Sequence, residues 1–349
     1  MAENREAVKN GRIRVAVDAM GGDYAPEEIV KGALLAAEKD DVEIFLVGKA
    51  DLLEHKLAEY KIANGSRIHI VGASEFIKEN ESPVDVIRRK PDSSVAVAAK
   101  MVKSGEADAF FSAGSSGAAA ISAIQFIGMV EGVYRPALVG SLGSFAPNTV
   151  MVDLGANVDC KPHQFLTFAV AGSVYARKFL GINDPKIGLL STGSEEGKGN
   201  DAVREAYSLL KNSGLNFVGN IEGGDILNGK ANVIVCDGFV GNVILKFYES
   251  IAGYAQAWTE RKLRKYPPLG ALARLMFKRL FPATEISSQT EKQGGGILWG
   301  VNGVVKIGHG ASRAPQIAIA IESAEEAVKA GVVESFRSEL ARFNQGGKL

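Results

Sequence analysis

The chain alternates short, continuous apolar runs with longer runs in which apolar residues recur every three or four positions. The first kind suits strands buried on both faces; the second suits helices with one buried side. The spacing predicts strands over 13–17, 42–47, 68–71 and 109–112, and helices over 26–38, 51–60, 94–104 and 118–127. Further strand-like runs lie at 149–152, 187–190, 217–219 and 233–235. Strand and helix taken in turn predict a three-layer α/β/α fold with a largely parallel sheet. One stretch departs from this alternation. A helix pattern over 242–260 leads into Arg261-Lys-Leu-Arg-Lys265, a Tyr-Pro-Pro turn and a second helix over 269–281. This reads as a helical hairpin, 242–285, projecting from the core. No solenoid-period repeat and no long Pro/Ser linker interrupts the pattern. One α/β domain over 12–340, with the hairpin as an extension within it, is therefore expected.

Composition narrows the function classes. Of 349 residues, 46% are hydrophobic and 23% charged, enough to bury a sizeable core. Acidic and basic side chains balance at 40 each, so no overall positive field favours nucleic acid. The only cysteines are Cys160 and Cys236, which argues against a disulfide framework and a thiolate zinc site and for a reducing cytosol. Residues 1–12 are too polar for a signal peptide. The uncharged run 112–130 approaches membrane-spanning length, but its Gly, Ser, Ala and Gln125 read as a buried loop and helix.

The candidate chemistry lies where strands end. Asp18-Ala-Met-Gly-Gly-Asp23 follows the first strand, and Gly21 and Gly22 allow a sharp turn and close backbone approach to a ligand. The helix that follows offers free N–H groups and a partial positive charge to an anion. The same residues also make an ordinary tight turn with Asp23 as a cap. Ser112-Ala-Gly-Ser-Ser-Gly-Ala118 repeats the logic: Ser112, Gly114, Ser115, Ser116 and Gly117 suit either a phosphate or close helix packing. Asp153-Leu-Gly-Ala-Asn157 ends another strand. So does Ser191-Thr-Gly-Ser-Glu-Glu-Gly-Lys-Gly-Asn200, with Thr192, Gly193, Lys198 and Asn200 as candidates for anion binding. Cys236-Asp-Gly-Phe-Val-Gly-Asn242 supplies Asp237, Gly238 and Asn242, either to orient a ligand or to cap the long helix. Ile307-Gly-His-Gly-Ala-Ser312 puts His309 on a tight loop, as an acid/base or oxyanion donor, with Ser312 beside it. His55 and His69 read as surface or packing residues, and His163 is ambiguous. Neither the dinucleotide Gly-x-Gly-x-x-Gly pattern nor a P-loop is present.

Taken together, these residues resemble the acyl-(acyl-carrier-protein):phosphate acyltransferases of the PlsX type. The resemblance rests on Val17-Asp-Ala-Met-Gly-Gly-Asp-Tyr-Ala-Pro26, the 112–118 loop, Tyr134-Arg-Pro136, 153–157, Gly219-Asn-Ile-Glu-Gly223, 236–246 and 309–312. It covers roughly 13–333. Ser115-Ser116 stands where the family often has Asn-Thr, and Ser191-Thr192-Gly193 where it often has Asn-Ile-Gly. The resemblance implies a fold similar to phosphotransacetylase and isocitrate dehydrogenase and a homodimer. It also implies a long-chain acyl-carrier-protein donor and a role in starting phospholipid synthesis. Loose attachment of a cytoplasmic protein to the inner face of the membrane follows too, with a membrane acyltransferase using the product.

Phosphate is already an anionic nucleophile and a thioester is already activated, so neither protein nucleophile, metal nor cofactor is expected. The enzyme's work would be positioning and electrostatics. Phosphate is expected among the 18–23, 112–117 and 192–200 loops, with Lys198 offsetting its charge and His309 polarising the carbonyl or protonating the thiolate. The second hairpin helix carries Leu269, Leu272, Met276, Phe277 and Leu280 on one face and Arg274 on the other, after Arg261 and Lys265. That basic amphipathic pattern suits an anionic membrane surface, the acidic carrier protein or dimer packing. Two rivals stand beside this reading: a short-chain coenzyme A-dependent phosphate acyltransferase, and a non-catalytic membrane scaffold that binds carrier protein.

Overall fold

The computed structural model describes residues 11–39, 42–60, 67–78, 81, 89–142, 146–264 and 294–345. The chain divides into two compact units, Met1–Leu138 with Gln293–Leu349, and Val139–Lys292. No change of composition marks either crossing.

Unit 1 is built on strands β1 (Ile13–Asp18), β2 (Val42–Gly48), β3 (Ile68–Gly72), β4 (Ala109–Ser112), β10 (Gly296–Trp299) and β11 (Val304–Ile307). Their order is β3-β2-β1-β4-β11-β10, parallel except for the β10–β11 pair. β2 is buried at every position, as continuous apolar runs between two helix layers require. The helices are α1 (Glu27–Lys39), α2 (Ala50–Ala58), α3 (Ser94–Ser104), α4 (Ser116–Ser122), α8 (Ala314–Lys329) and α9 (Val332–Gln345). Val305 and Ile307 of β11 join the cluster around α3, whereas Lys306 between them hydrogen-bonds Ser323 of α8 at 3.0 Å. Side chains alternate along a strand, so α3 and α8 cover opposite faces. The run 118–127 is not one helix: α4 passes into a π turn, Ala123–Ile127, whose Ala123 and Ile127 are buried.

Unit 2 carries β5 (Ala137–Ser141, entering the unit at Val139), β6 (Val150–Val152), β7 (Ile187–Leu190), β8 (Phe217–Ile221) and β9 (Val233–Val235). The order is β5-β6-β9-β7-β8, antiparallel only between β5 and β6. Helix α5 (Pro162–Phe179) is buried from Gln164 to Ala176. A Cβ on its Gly172 would lie 2.3 Å from Val233 Cγ1, so only glycine lets the helix approach this closely. Helix α6 (Asp201–Lys211) packs on α5, and α7 (Gly238–Arg264) leaves the end of β9. The helix expected over 242–260 is thus present and starts earlier than the pattern suggests. Its partner over 269–281, with Lys265, Leu269, Leu272, Arg274, Met276, Phe277 and Leu280, lies outside the described residues.

Candidate active site

In unit 1 three loops close together at the carboxyl ends of β1, β4 and β11. Asp18, the last residue of β1, is buried. Its Oδ2 accepts the Ser112 hydroxyl at 2.7 Å, and its Oδ1 accepts Met20 N–H at 3.3 Å. Ser112 Oγ also accepts Gly114 N–H at 3.1 Å. A Cβ at Gly21 would meet Asp18 Oδ2 at 2.5 Å and Gly114 N at 2.9 Å, so the two loops touch backbone to backbone only because glycine stands there. Gly22, at φ +110°, lies against the carbonyls of Ala113 and Gly310. Asp23 N–H donates to Gly310 O at 2.9 Å, and Gly308 N–H to Ser112 O at 2.9 Å. Burial pushes the Asp18 carboxyl above its ordinary value, against the opposing hydrogen bonds of Ser94 and Ser112. Exposed on the rim are His309, Ser116 and Gly117, with the N-terminus of α4. Ser115 caps α4 through Ala118 N–H, and His309 Nδ1 accepts Ala311 N–H at 3.2 Å.

In unit 2 the loops after β6 and β9 close around Asp153, which is fully buried. Its Oδ1 accepts Gly155 and Ala156 N–H at 3.1 and 3.0 Å. Its Oδ2 accepts the backbone N–H and side-chain amide of Asn157, both at 2.8 Å. Gly238 N–H donates to Asn157 O at 2.7 Å. A Cβ at Gly241 would fall 1.9 Å from Asp153 O, and Gly155 lies beside Asn242. Asp237 caps α7 through Val240 N–H at 2.8 Å. The loop after β7 is more open: Thr192, Lys198 and Asn200 are exposed, Gly193 packs under the Lys198 stem, and Asn200 caps α6 through Val203 N–H. Burial, then the charge of Asp153, pushes the Cys160 thiol up to about 12, and burial raises Cys236 as well. Both sulfurs stay protonated near neutral pH, so neither is an activated nucleophile.

The family model for fatty acid synthesis proteins matches residues 13–335. The chain is 44% identical over 335 residues to a phosphate acyltransferase of Pelotomaculum thermopropionicum, covering 96% of this chain and 97% of that one. It is also 44% identical over 346 residues to a phosphate acyltransferase of Nostoc punctiforme, covering 96% and 99%. The chain belongs to this family, the PlsX-type phosphate acyltransferases. Among solved structures it is similar to a phosphotransacetylase from Streptococcus pyogenes, at TM-score 0.61 and 20% identity over 95% of this chain and 98% of that one. A 4-hydroxythreonine-4-phosphate dehydrogenase from Klebsiella pneumoniae follows at TM-score 0.53 and 13% identity, over 91% and 100%. At those identities the likeness is one of fold.

Within a PlsX-type acyltransferase the predicted residues fall into two groups. Asp18, Gly21, Gly22, Asp23, Ser112, Gly114–Gly117, His309 and Ser312 belong to unit 1. Asn157, Thr192, Gly193, Lys198, Asn200, Asp237, Gly238 and Asn242 belong to unit 2. Two contributors are not among the predicted site residues. Ser94, the first residue of α3, bonds the Asp18 carboxyl, and the Ser93-Ser94 pair opening a helix after Pro91 is its signal. Asp153 is read only as part of a turn, yet it is the hub of its loop.

Proposed function

We propose that the protein transfers a long-chain acyl group from an acyl-carrier-protein thioester to inorganic phosphate, giving acyl phosphate and free carrier protein for phospholipid synthesis. The observation that carries the reading is the unit 1 cluster, together with family membership. There a glycine turn, the exposed N-terminus of α4 and the His309 loop meet around a buried carboxyl held above its ordinary range. A phosphate oxygen attacks the thioester carbonyl carbon; the C–O bond forms, the tetrahedral oxyanion collapses, and the C–S bond breaks. The thiolate leaves with the electron pair and takes a proton from His309 or solvent. Two raised cysteine pKa values agree with direct attack rather than a thioester relay through the protein.

Mass spectrometry on purified protein with acyl-carrier protein and phosphate tests the reaction, the expected product being acyl phosphate. Product from acetyl-coenzyme A alone would favour the short-chain rival; carrier binding without product would favour a scaffold. General acid–base help is typically worth 10²–10⁴ in rate. His309→Ala is therefore expected to lower kcat at least tenfold, and a smaller loss removes that role.

The same reading includes a homodimer and contact with an anionic membrane surface. Phe239, Val243, Phe247, Tyr254 and Trp258 are exposed along one face of α7, an apolar stripe of the kind partner surfaces use. Arg261 and Lys262 stack near Tyr254 and Trp258 at its far end. Light scattering reports the oligomer. Liposome co-sedimentation of wild type against Met276→Asp tests the membrane, and equal binding would dismiss it.

A further inference from the structure

The 308–313 loop ends on Arg313, whose guanidinium carbon lies 3.2 Å from the centre of the Tyr24 ring. Both residues are exposed, Tyr24 by 38%. Each belongs to a loop already fixed at the glycine turn, through Asp23 N–H to Gly310 O and Ser312 N–H to His309 O. The Arg313 backbone is pinned by α8: its N–H donates to Gln316 Oε1 at 2.6 Å, and its carbonyl accepts Ile317 N–H. An arginine anchored at the backbone and seated over an aromatic ring has less freedom to swing. The guanidinium N–H groups form a planar fork.

Among the described residues the Arg313 charge also makes no ion pair. The acidic groups of α1 are engaged elsewhere: Glu27 pairs with Lys31 and Lys56, and Glu28 accepts Ala314 N–H at 2.9 Å and pairs with Lys31. Among the described residues no carboxylate lies within ion-pair reach of Arg313. Paired in-plane N–H groups match the oxygens of a phosphate ester or a carboxylate. A thioester carried on a pantetheine arm ends in a phosphate ester, an anion covalently tied to the reacting carbonyl.

We propose that Arg313, held over Tyr24 beside the His309 loop, recognises the phosphate ester of the acyl donor's pantetheine arm and so selects the donor. This rests on the reading of the protein as a thioester-to-phosphate acyltransferase. The same guanidinium chemistry would also accept inorganic phosphate, and the two sources separate kinetically.

The test compares acyl-pantetheine with acyl-phosphopantetheine as donors for wild type, Arg313→Gln, Arg313→Lys and Tyr24→Leu. Wild type is expected to prefer the phosphorylated arm by about tenfold to a hundredfold in kcat/KM, the span of one bidentate charged contact. Arg313→Gln should bring that ratio near one while leaving the KM for inorganic phosphate unchanged. Arg313→Lys and Tyr24→Leu should fall between, since each loses either the fork or its platform. An unchanged ratio in Arg313→Gln, or a loss confined to the KM for inorganic phosphate, overturns the proposal. Calorimetric titration of phosphopantetheine against pantetheine reads the same discrimination without turnover. Absence of acyl phosphate from every donor would therefore sink the activity reading alone. Equal binding of the two compounds by wild type and Arg313→Gln would sink this one.

Discussion

Asp18 and Asp153 hold matching stations in the two units. Each stands at the carboxyl end of a parallel strand, each is buried, and each precedes a turn containing glycine. Their donors differ in kind. Asp153 receives four N–H groups, two on each oxygen, which fills its accepting capacity. Asp18 receives the backbone N–H groups of Met20 and Gly21 and the hydroxyls of Ser94 and Ser112, and burial outweighs them. A carboxylate saturated by fixed donors is a structural anchor with nothing left to offer a substrate. A buried carboxyl held partly by rotatable hydroxyls keeps its proton more readily than one in water. The contrast is between a carboxylate fixed by four N–H groups in unit 2 and a carboxyl held partly by hydroxyls in unit 1.

The largest expected effect breaks the anchor. Asp153→Asn turns an amide NH₂ toward two of the four donors, and buried donors without acceptors cost about 1–3 kcal/mol each. Unfolding of this variant should come about 3–5 kcal/mol earlier by denaturant titration; a loss below about 1 kcal/mol would end the anchor role.

Asp18→Asn should behave in the opposite way. The folded carboxyl sits above its unfolded value, so wild-type stability falls as pH rises from near 3.8 through the folded value, and the amide removes that cost. The melting temperature at neutral pH is expected to hold or rise. The kcat/KM for phosphate should lose the decline expected of wild type as Asp18 ionises beside an anion. Superimposable pH profiles would remove phosphate from the neighbourhood of Asp18.

The smallest effect sharpens the comparison with a buried cation. Lys306 is buried on β11, donating to Gly295 O at 2.8 Å and Ser323 Oγ at 3.0 Å, and burial lowers its pKa to about 7 while the charge of Glu326 opposes. The unfolded chain binds the extra proton between about 7 and the ordinary lysine value. Wild-type stability should therefore rise with pH across that window, and Lys306→Met should flatten the slope in melting curves. An identical slope would mean that the ammonium stays charged in the folded protein.

Much of this was legible in the chain. The strands at 109–112, 187–190 and 233–235 and the helix at 94–104 are written in continuous apolar runs or a 3.6-residue stripe, and the structure repeats those bounds. Helix α5 was not legible, because burial on all sides from Gln164 to Ala176 erases the polar stripe that periodicity needs. β11 hides for a related reason: Lys306 reads as a solvent-facing residue in a run that is wholly buried. Helix α6 has a clear mark, Asn200 followed by Val203, Ala206 and Leu210, which the strand-end reading spent on a ligand loop instead. At the site, glycine turns announced where backbones approach. Hydrogen-bond supply to each aspartate did not show, since it depends on residues far apart in sequence, such as Ser94 and Ser112 around Asp18.

Unit 1 is interrupted by all of unit 2, and β11, which pairs with β4, is the last strand of the described residues to be encoded. On a ribosome adding ~5–20 residues per second, β4 waits on the order of ten seconds for that neighbour, its amide edge open meanwhile. The middle of the chain has every strand it needs well before then. Nascent protein halted ahead of residue 304 would thus carry a finished insert on a half-built host lacking the histidine loop altogether.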